Sequence, residues 1–245
     1  MRYRYKKFIT FEGGDGTGKS TQAKRLVRWL NYIGHKAVYI HFPSYEDPTG
    51  KAIKDMLHSN MNAEDINPYA ASIMFTADRY YAITFGSYAK YFQDPDMIIV
   101  ADRWFGSNAI HQCAKFIDDE DVERFMEDVD YEGLEAAVDK FRISSAAEDI
   151  DYFLNNYTSK EYKDMEMPYP DKQLYIELPI DEQLERLAAR ASHGEELDIH
   201  EESMFVTKSF ISGRYFAELK CIIINGTGTE DEVFKRIIDE LNIKG

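Results

Sequence analysis

Gly13-Gly14-Asp15-Gly16-Thr17-Gly18-Lys19-Ser20 fits the spacing G-x-x-x-x-G-K-S and stands between a strand-like and a helix-like segment. Glycines at these positions let successive backbone N–H groups turn inward around phosphate oxygens, and the helix that follows aims its unsatisfied donors and positive dipole end the same way. Lys19 is placed to reach the β- and γ-phosphates of a nucleoside triphosphate, and Ser20 to offer its hydroxyl to Mg²⁺. Upstream, Phe8-Ile9-Thr10-Phe11 predicts a buried strand. Downstream, Ala23, Leu26, Val27, Leu30 and Ile33 recur at three- and four-residue steps before Gly34, predicting a helix. A triphosphate-binding loop from Gly13 through Thr21 is the expectation.

Four more apolar runs read as buried parallel strands: Ala37-Val38-Tyr39-Ile40-His41-Phe42, Met97-Ile98-Ile99-Val100-Ala101, Leu174-Tyr175-Ile176-Glu177-Leu178 and Cys221-Ile222-Ile223-Ile224. Helical periodicity separates them at about 50–57, 68–92, 105–116, 181–191, 202–219 and 230–241. The pattern predicts an α/β fold, a doubly wound five-stranded parallel sheet flanked by helices, as one domain over 1–245. The stretch from about 115 to 167 is expected to be a helical excursion on that domain. Its acidic run Asp118-Asp119-Glu120-Asp121 reads as a solvated helix start or loop with no chemistry of its own.

Composition narrows the partners. The chain has 245 residues, 44% of them hydrophobic, enough for a substantial core, and 29 basic against 44 acidic residues give a net charge of −15. A field of that sign disfavours nucleic acid and anionic membrane surfaces, while a local cluster of donors still suits a small anionic ligand. The two cysteines, Cys113 and Cys221, form no metal spacing and read as buried thiols in a reducing, cytoplasmic compartment. The basic start, Met1 to Lys7, leads into too few apolar residues for a signal-peptide core or a membrane span.

Further candidates follow from position. Asp102-Arg103 comes just past the carboxyl end of a predicted buried strand, where open α/β sheets bind ligands. Asp102 could organise a Mg²⁺ shell and Arg103 could hold a second phosphate bidentately, or the two could form a plain strand-end ion pair. Phe75 and Arg79 stand one helical turn apart, so a ring and a planar cation could frame a base. Arg186 and Arg190 lie at i and i+4 before a polar stretch, Ser192 to Asp198, that could be a lid over a transferring phosphoryl group. The six histidines form no His-x-x-x-His pair, and neither a Gly-x-Ser-x-Gly elbow nor an Asn-Lys-x-Asp guanine reader occurs.

Taken together, Phe11 to Gln22, Phe42-Pro43, Phe75-Thr76-Ala77-Asp78-Arg79 and Asp102-Arg103-Trp104-Phe105-Gly106-Ser107-Asn108 resemble the thymidylate kinase family. Glu196-Leu197-Asp198 with Glu201 looks like that family's lid, at about 190–202, and Tyr169-Pro170-Asp171 like the approach to its fourth strand. The resemblance implies ATP and dTMP as substrates, Mg²⁺ held at Ser20 and Asp102, and a homodimer formed through helices beside the sheet. By the same resemblance Asp15 contacts the sugar 3′-hydroxyl region, Phe75 stacks on thymine, Arg79 and Asn108 bond the base, and Arg103 holds the acceptor phosphate. Phe42 and Tyr45 complete the acceptor site. Tyr45 stands where some members carry Arg, and His111, at the place associated with excluding a ribose 2′-hydroxyl, where many carry Tyr. Positions 14 to 17 hold no arginine, so the lid is expected to supply the catalytic one, Arg190 first and Arg186 second. Two other readings are a deoxynucleoside kinase, which needs a carboxylate base for which Glu46 is the nearest candidate, and a nucleotide-binding regulator without turnover.

Overall fold

A computed structural model describes residues 3–193 and 203–243. Along the chain come β1 (Lys7–Glu12), α1 (Lys19–Tyr32), β2 (Lys36–His41), α2 (Pro48–Leu57), α3 (Pro68–Thr84), β3 (Met97–Asp102) and α4 (Phe105–Cys113). After them follow α5 (Asp119–Glu132), α6 (Leu134–Phe141), α7 (Ser145–Phe153), α8 (Ser159–Lys163), β4 (Lys172–Glu177), α9 (Ile180–Ser192), α10 (Ser203–Lys220), β5 (Ile222–Asn225) and α11 (Glu230–Leu241).

The five strands pair in the order β2-β3-β1-β4-β5, every pair parallel. Because side chains alternate along a strand, β1 buries Phe8 on one face and Ile9 and Phe11 on the other. The Ile9 face packs Leu26 and Leu30 of α1 and Val233 and Ile237 of α11. The Phe8 face joins a larger core with Ile110 of α4, Ile211 and Phe216 of α10, and residues of α5 to α7. Helices on both faces satisfy the apolar runs that the sequence presents, which is the doubly wound arrangement expected. The chain leaves β1 toward β3 and β2 on one side and later returns to β4 and β5 on the other, so a crevice opens at the carboxyl ends of β1 and β3.

The strands fall within one or two residues of their predicted bounds, and most helices likewise. The helix expected over 105–116 ends at Cys113, with a 3₁₀ turn at Ala114–Phe116, and the larger exception is the helix expected over 68–92. It stops at Thr84, and a short 3₁₀ turn at Tyr91–Gln93 replaces its end. The apolar pattern continues through Tyr88 and Phe92, which still pack on the core, but Ser87 donates from both N and Oγ to the Asp47 carboxylate and draws the chain off the helix axis. Gly86 lies so close to that carboxylate that a Cβ there would sit 2.6 Å from Asp47 Oδ2.

Between Asp119 and Lys163 the chain is helical, with a π-turn at Leu154–Thr158 joining α7 to α8. Its acidic start is a helix N-terminus, as expected: Asp118 caps α5 reciprocally with Asp121, and three acids occupy the first turn, where the helix dipole favours negative charge. Among the described residues no helix is long and apolar enough to cross a membrane.

Phe8 has no exposed surface and its ring meets Phe92 and Trp104 edge-on at 5.5 and 5.1 Å. Phe8→Ala is expected to lower unfolding free energy by about 3–5 kcal/mol, read from the shift of a urea denaturation midpoint at unchanged slope.

Candidate active site

The loop between β1 and α1 is shaped by glycines in conformations that other residues rarely adopt. Gly18 caps α1 at φ 86°, and a Cβ on Gly13, at φ 140°, would sit 2.8 Å from the Ile176 carbonyl oxygen. Lys19 Nζ donates to Gly14 O at 2.8 Å and to Asp15 Oδ1 at 3.3 Å, and Thr17 Oγ1 donates to Gly14 O at 2.9 Å. Burial, and then the nearby Arg103 charge, lower the Lys19 pKa from its ordinary value.

Past β3, Arg103 adopts φ 70°, a left-handed conformation that costs a non-glycine residue energy, and is held there by its N–H bonding to Phe11 O at 2.9 Å. Its guanidinium bonds the Asp15 carboxylate and donates from Nη1 to His111 Nε2 at 2.9 Å. Since the guanidinium is always charged, His111 must offer a lone pair at Nε2, which leaves Nδ1 carrying the proton, 3.5 Å from Ser209 Oγ. Asp15 thus sits between Lys19, Arg103 and, at 3.9 Å, His111.

Asp102 is fully buried behind Ser20. Ser20 Oγ donates to its Oδ2 at 2.5 Å and Tyr39 OH to the same oxygen at 2.8 Å, while Oδ1 is buried with no hydrogen-bond partner. Burial opposes ionisation of this carboxyl, but His41, Lys19, Arg103 and the Ser20 hydroxyl outweigh it and hold the pKa below the ordinary value. An anionic carboxylate with an unused oxygen, beside a hydroxyl at the start of α1, is a donor set that fits a hard divalent cation.

One cavity of about 510 Å³ draws these elements together. Of the sequence-predicted residues, Asp15, Gly16, Gly18, Lys19, Ser20 and Thr21 line it, as do Phe42, Tyr45, Phe75, Arg79, Arg103, Asn108, His111 and Arg190. Four predicted residues do not line it. Gly13 is pressed on the β4 backbone, Gly14 is engaged by Lys19 and Thr17, Thr17 points back to Gly14, and Asp102 lies behind Ser20. Arg186 is also outside the cavity: it bonds Gly16 O at 3.3 Å and Glu182 at 2.8 Å. Arg190 sits in the last turn of α9, so the expected lid begins inside a helix, and its remainder at 194–202 lies outside the described residues. Glu46 is exposed and absent from the lining, so it is not placed to act as the base that a deoxynucleoside kinase would use.

Sequence reasoning missed three residues. Gln112 follows His111 on α4, lines the cavity fully buried, and has no partner for either amide atom. A single glutamine on an apolar helix carries no periodic signal. Glu161 of α8, buried at 2% exposure, bonds Arg79 from within the excursion, and no local pattern links two residues 82 positions apart. Glu12 at the end of β1 accepts a hydrogen bond from Ser107 Oγ at 2.6 Å and backbone N–H bonds from Trp104 and Ser107, fixing the first turn of α4 to the root of the phosphate loop. One thiol also differs from expectation: Cys113 is buried, but Cys221, between α10 and the edge strand β5, is only half-buried. Burial raises the pKa of both.

Known proteins carry the same architecture. The thymidylate kinase family model matches residues 11–130, which include the phosphate loop, Phe42-Pro43, Arg79 and Asp102-Arg103. A probable thymidylate kinase of Thermococcus kodakarensis is 27% identical over 237 residues, covering 94% of this chain and 95% of that one. The chain is similar to thymidylate kinases over nearly its whole length. A thymidylate kinase of Leifsonia xyli is 34% identical over 107 residues, 44% of this chain and 49% of its own, so the chain spans about half of that relative. A solved thymidylate kinase from Candida albicans aligns over 100% of this chain and 97% of its own with a TM-score of 0.63 at 22% identity, a likeness of fold.

Burial raises the Glu12 pKa from its ordinary 4.5 to about 7, so between these values the folded protein holds a proton that the unfolded chain releases. Stability carried by this group is complete below about pH 4.5 and lost as pH rises through about 7. Glu12→Gln is expected to flatten the fall of stability from pH 5 to 8, measured by urea denaturation of both proteins. Parallel curves would contradict it.

Proposed function

We propose that this protein transfers the γ-phosphoryl group of ATP to the phosphate of dTMP, giving ADP and dTDP. The observation that carries the reading is the shared cavity: a triphosphate loop and an aromatic, amide and guanidinium set suited to a base line the same 510 Å³, with Arg103 and Tyr45 also on its wall. The acceptor is already an anionic nucleophile, so no general base is required, and catalysis is alignment and charge neutralisation.

Position supports the following roles. Lys19 exchanges its bond to Gly14 O for the β- and γ-phosphates, which the loop amides cradle from Gly13 to Thr21. Mg²⁺ arriving with ATP would be held by the Ser20 hydroxyl and the Asp102 carboxylate, where it neutralises phosphate charge. Arg103 and Tyr45 take the acceptor phosphate, and Arg190 stabilises charge on the transferring group. Phe75 stacks on the base, Arg79 and Asn108 bond its edge, and Phe42 packs behind. Asp15 meets the sugar 3′-hydroxyl, and His111 excludes a ribose 2′-hydroxyl. The two free thiols suit a reducing cytoplasm.

We also propose a homodimer. Helix α3 carries only two charged residues, Asp78 and Arg79, and both are buried. Its outer face presents Ala70, Ile73, Ala77 and Tyr80 at heptad spacing, with Phe85 beyond; Ile73 and Phe85 are 64% and 67% exposed. Such a stripe suits a second copy of itself. Ile73→Glu is expected to turn a dimer into a monomer in sedimentation velocity, and a monomeric wild type would refute the proposal.

The test of activity is ADP release with Mg²⁺-ATP, offering dTMP, dUMP, dGMP and thymidine separately. Selective turnover of dTMP is expected, with Lys19→Ala and Arg103→Ala each slower by about 10²-fold or more. Phe75→Ala should chiefly raise the dTMP KM. Near-normal turnover by Arg103→Ala would overturn the acceptor assignment, and turnover of thymidine alone the reaction.

A further inference from the structure

We propose that Glu161, supplied by the helical segment between β3 and β4, is a specificity-determining positioning residue: its buried carboxylate sets the directions of Arg79 and Asn108, so that the pocket offers a donor beside an acceptor to the base. The inference rests on the dTMP reading above. It adds which side chain fixes the hydrogen-bond polarity of the pocket and which bases that polarity refuses.

Glu161 reaches the cavity wall from behind. The π-turn at Leu154–Thr158 precedes α8, and the carboxylate lands among α3 and α4. Its Oε2 accepts from Arg79 Nε at 3.0 Å. Its Oε1 accepts from Arg79 Nη2 at 2.6 Å, Thr76 Oγ1 at 2.9 Å and Asn108 Nδ2 at 3.5 Å. Arg79 is therefore held by one edge of its fork, and its Nη1 has no protein partner among the described residues. The guanidinium is further fixed by lying over the Trp104 ring, 5.9 Å from its centroid.

The same carboxylate settles the Asn108 amide. An ionised carboxylate only accepts, so the amide group facing it must be the nitrogen, which also donates to Ser72 Oγ at 3.0 Å. That turns Oδ1 away, and it is buried with no partner. Both residues line the cavity beside Phe75. Two unmatched groups thus stand at the cavity, a guanidinium N–H and an amide oxygen without solvent access, and a ligand edge that reaches both relieves them.

A thymine or uracil ring brings a carbonyl beside an N–H, the complement of that pair. Cytosine brings an amino group beside a bare ring nitrogen, so donor would face donor and acceptor would face acceptor. Sites built to bond a polar edge reject its mismatch strongly, because buried groups on both sides are left unpaired. With glutamine at position 161 only one oxygen remains to accept. Asn108 can then turn over to pair its own oxygen with the new amide, presenting Nδ2 to the base.

The test compares wild type with Glu161→Gln, using dTMP and dCMP in equilibrium binding and in turnover. The wild type is expected to prefer dTMP by about 10³-fold or more in kcat/KM. Glu161→Gln is expected to raise the dTMP KM by about 10-fold and shrink the preference by at least as much, with kcat and the ATP KM little changed. A second measurement needs no variant: dTMP methylated at ring N3 lacks the donor and should bind the wild type at least about 10-fold more weakly. Unchanged KM and selectivity in a folded Glu161→Gln, or equal binding of the N3-methyl analogue, would overturn the inference while leaving dTMP kinase activity intact. A wild type that neither binds nor turns over dTMP would overturn the function reading, and this inference with it.

Discussion

The central strand β1 is hydrogen-bonded on both sides, to β3 and to β4, and the site is measured from where it ends. Its register against β3 sets Phe11 opposite Asp102, so the phosphate loop and the Asp102-Arg103 pair leave the sheet at the same level. The Arg103 N–H to Phe11 O bond continues that pairing one residue further and holds Arg103 in its costly conformation. Glu12, one residue beyond Phe11, ties the same strand end to the first turn of α4. Moving β1 by one residue would exchange its two buried faces and separate Lys19 from Arg103 together.

Charge is organised on that frame by local pairing. The molecule carries −15 overall, yet Lys19, Arg103 and Arg190 line one cavity. Asp15 balances the first two, Glu161 balances Arg79, and Asp102 stays anionic through the cations around it. Lys19, Arg103, Arg79 and Asp102 thus each have a counter-charge beside them, the condition under which buried charges are tolerated.

Much of this was legible in the sequence because the signals are local. Continuous apolar runs marked the five strands, the loop motif placed Lys19 and Ser20, and a four-residue spacing put Phe75 and Arg79 on one wall. What could not be read depends on contacts between distant segments. The end of α3 is set by Asp47 reaching Ser87, forty positions away, against an apolar pattern that runs on unbroken. Glu161 is one acid among many in a weakly patterned stretch, and only the path through α7 and the π-turn brings it to Arg79. Gln112 looks like any polar residue on a helix until its burial is known.

Asp15 has one further consequence. Because Lys19 and Arg103 lean on the same carboxylate, two anions that engaged these cations would not meet independent sites. A phosphate that drew Lys19 away would remove one cation from Asp15 and leave Arg103 against it, and one that drew Arg103 away would leave Lys19. Occupancy at either position therefore alters the affinity at the other, and thermodynamic linkage requires the factor to be the same whichever arrives first. The sign of that cooperativity is fixed by how one aspartate divides itself between two cations.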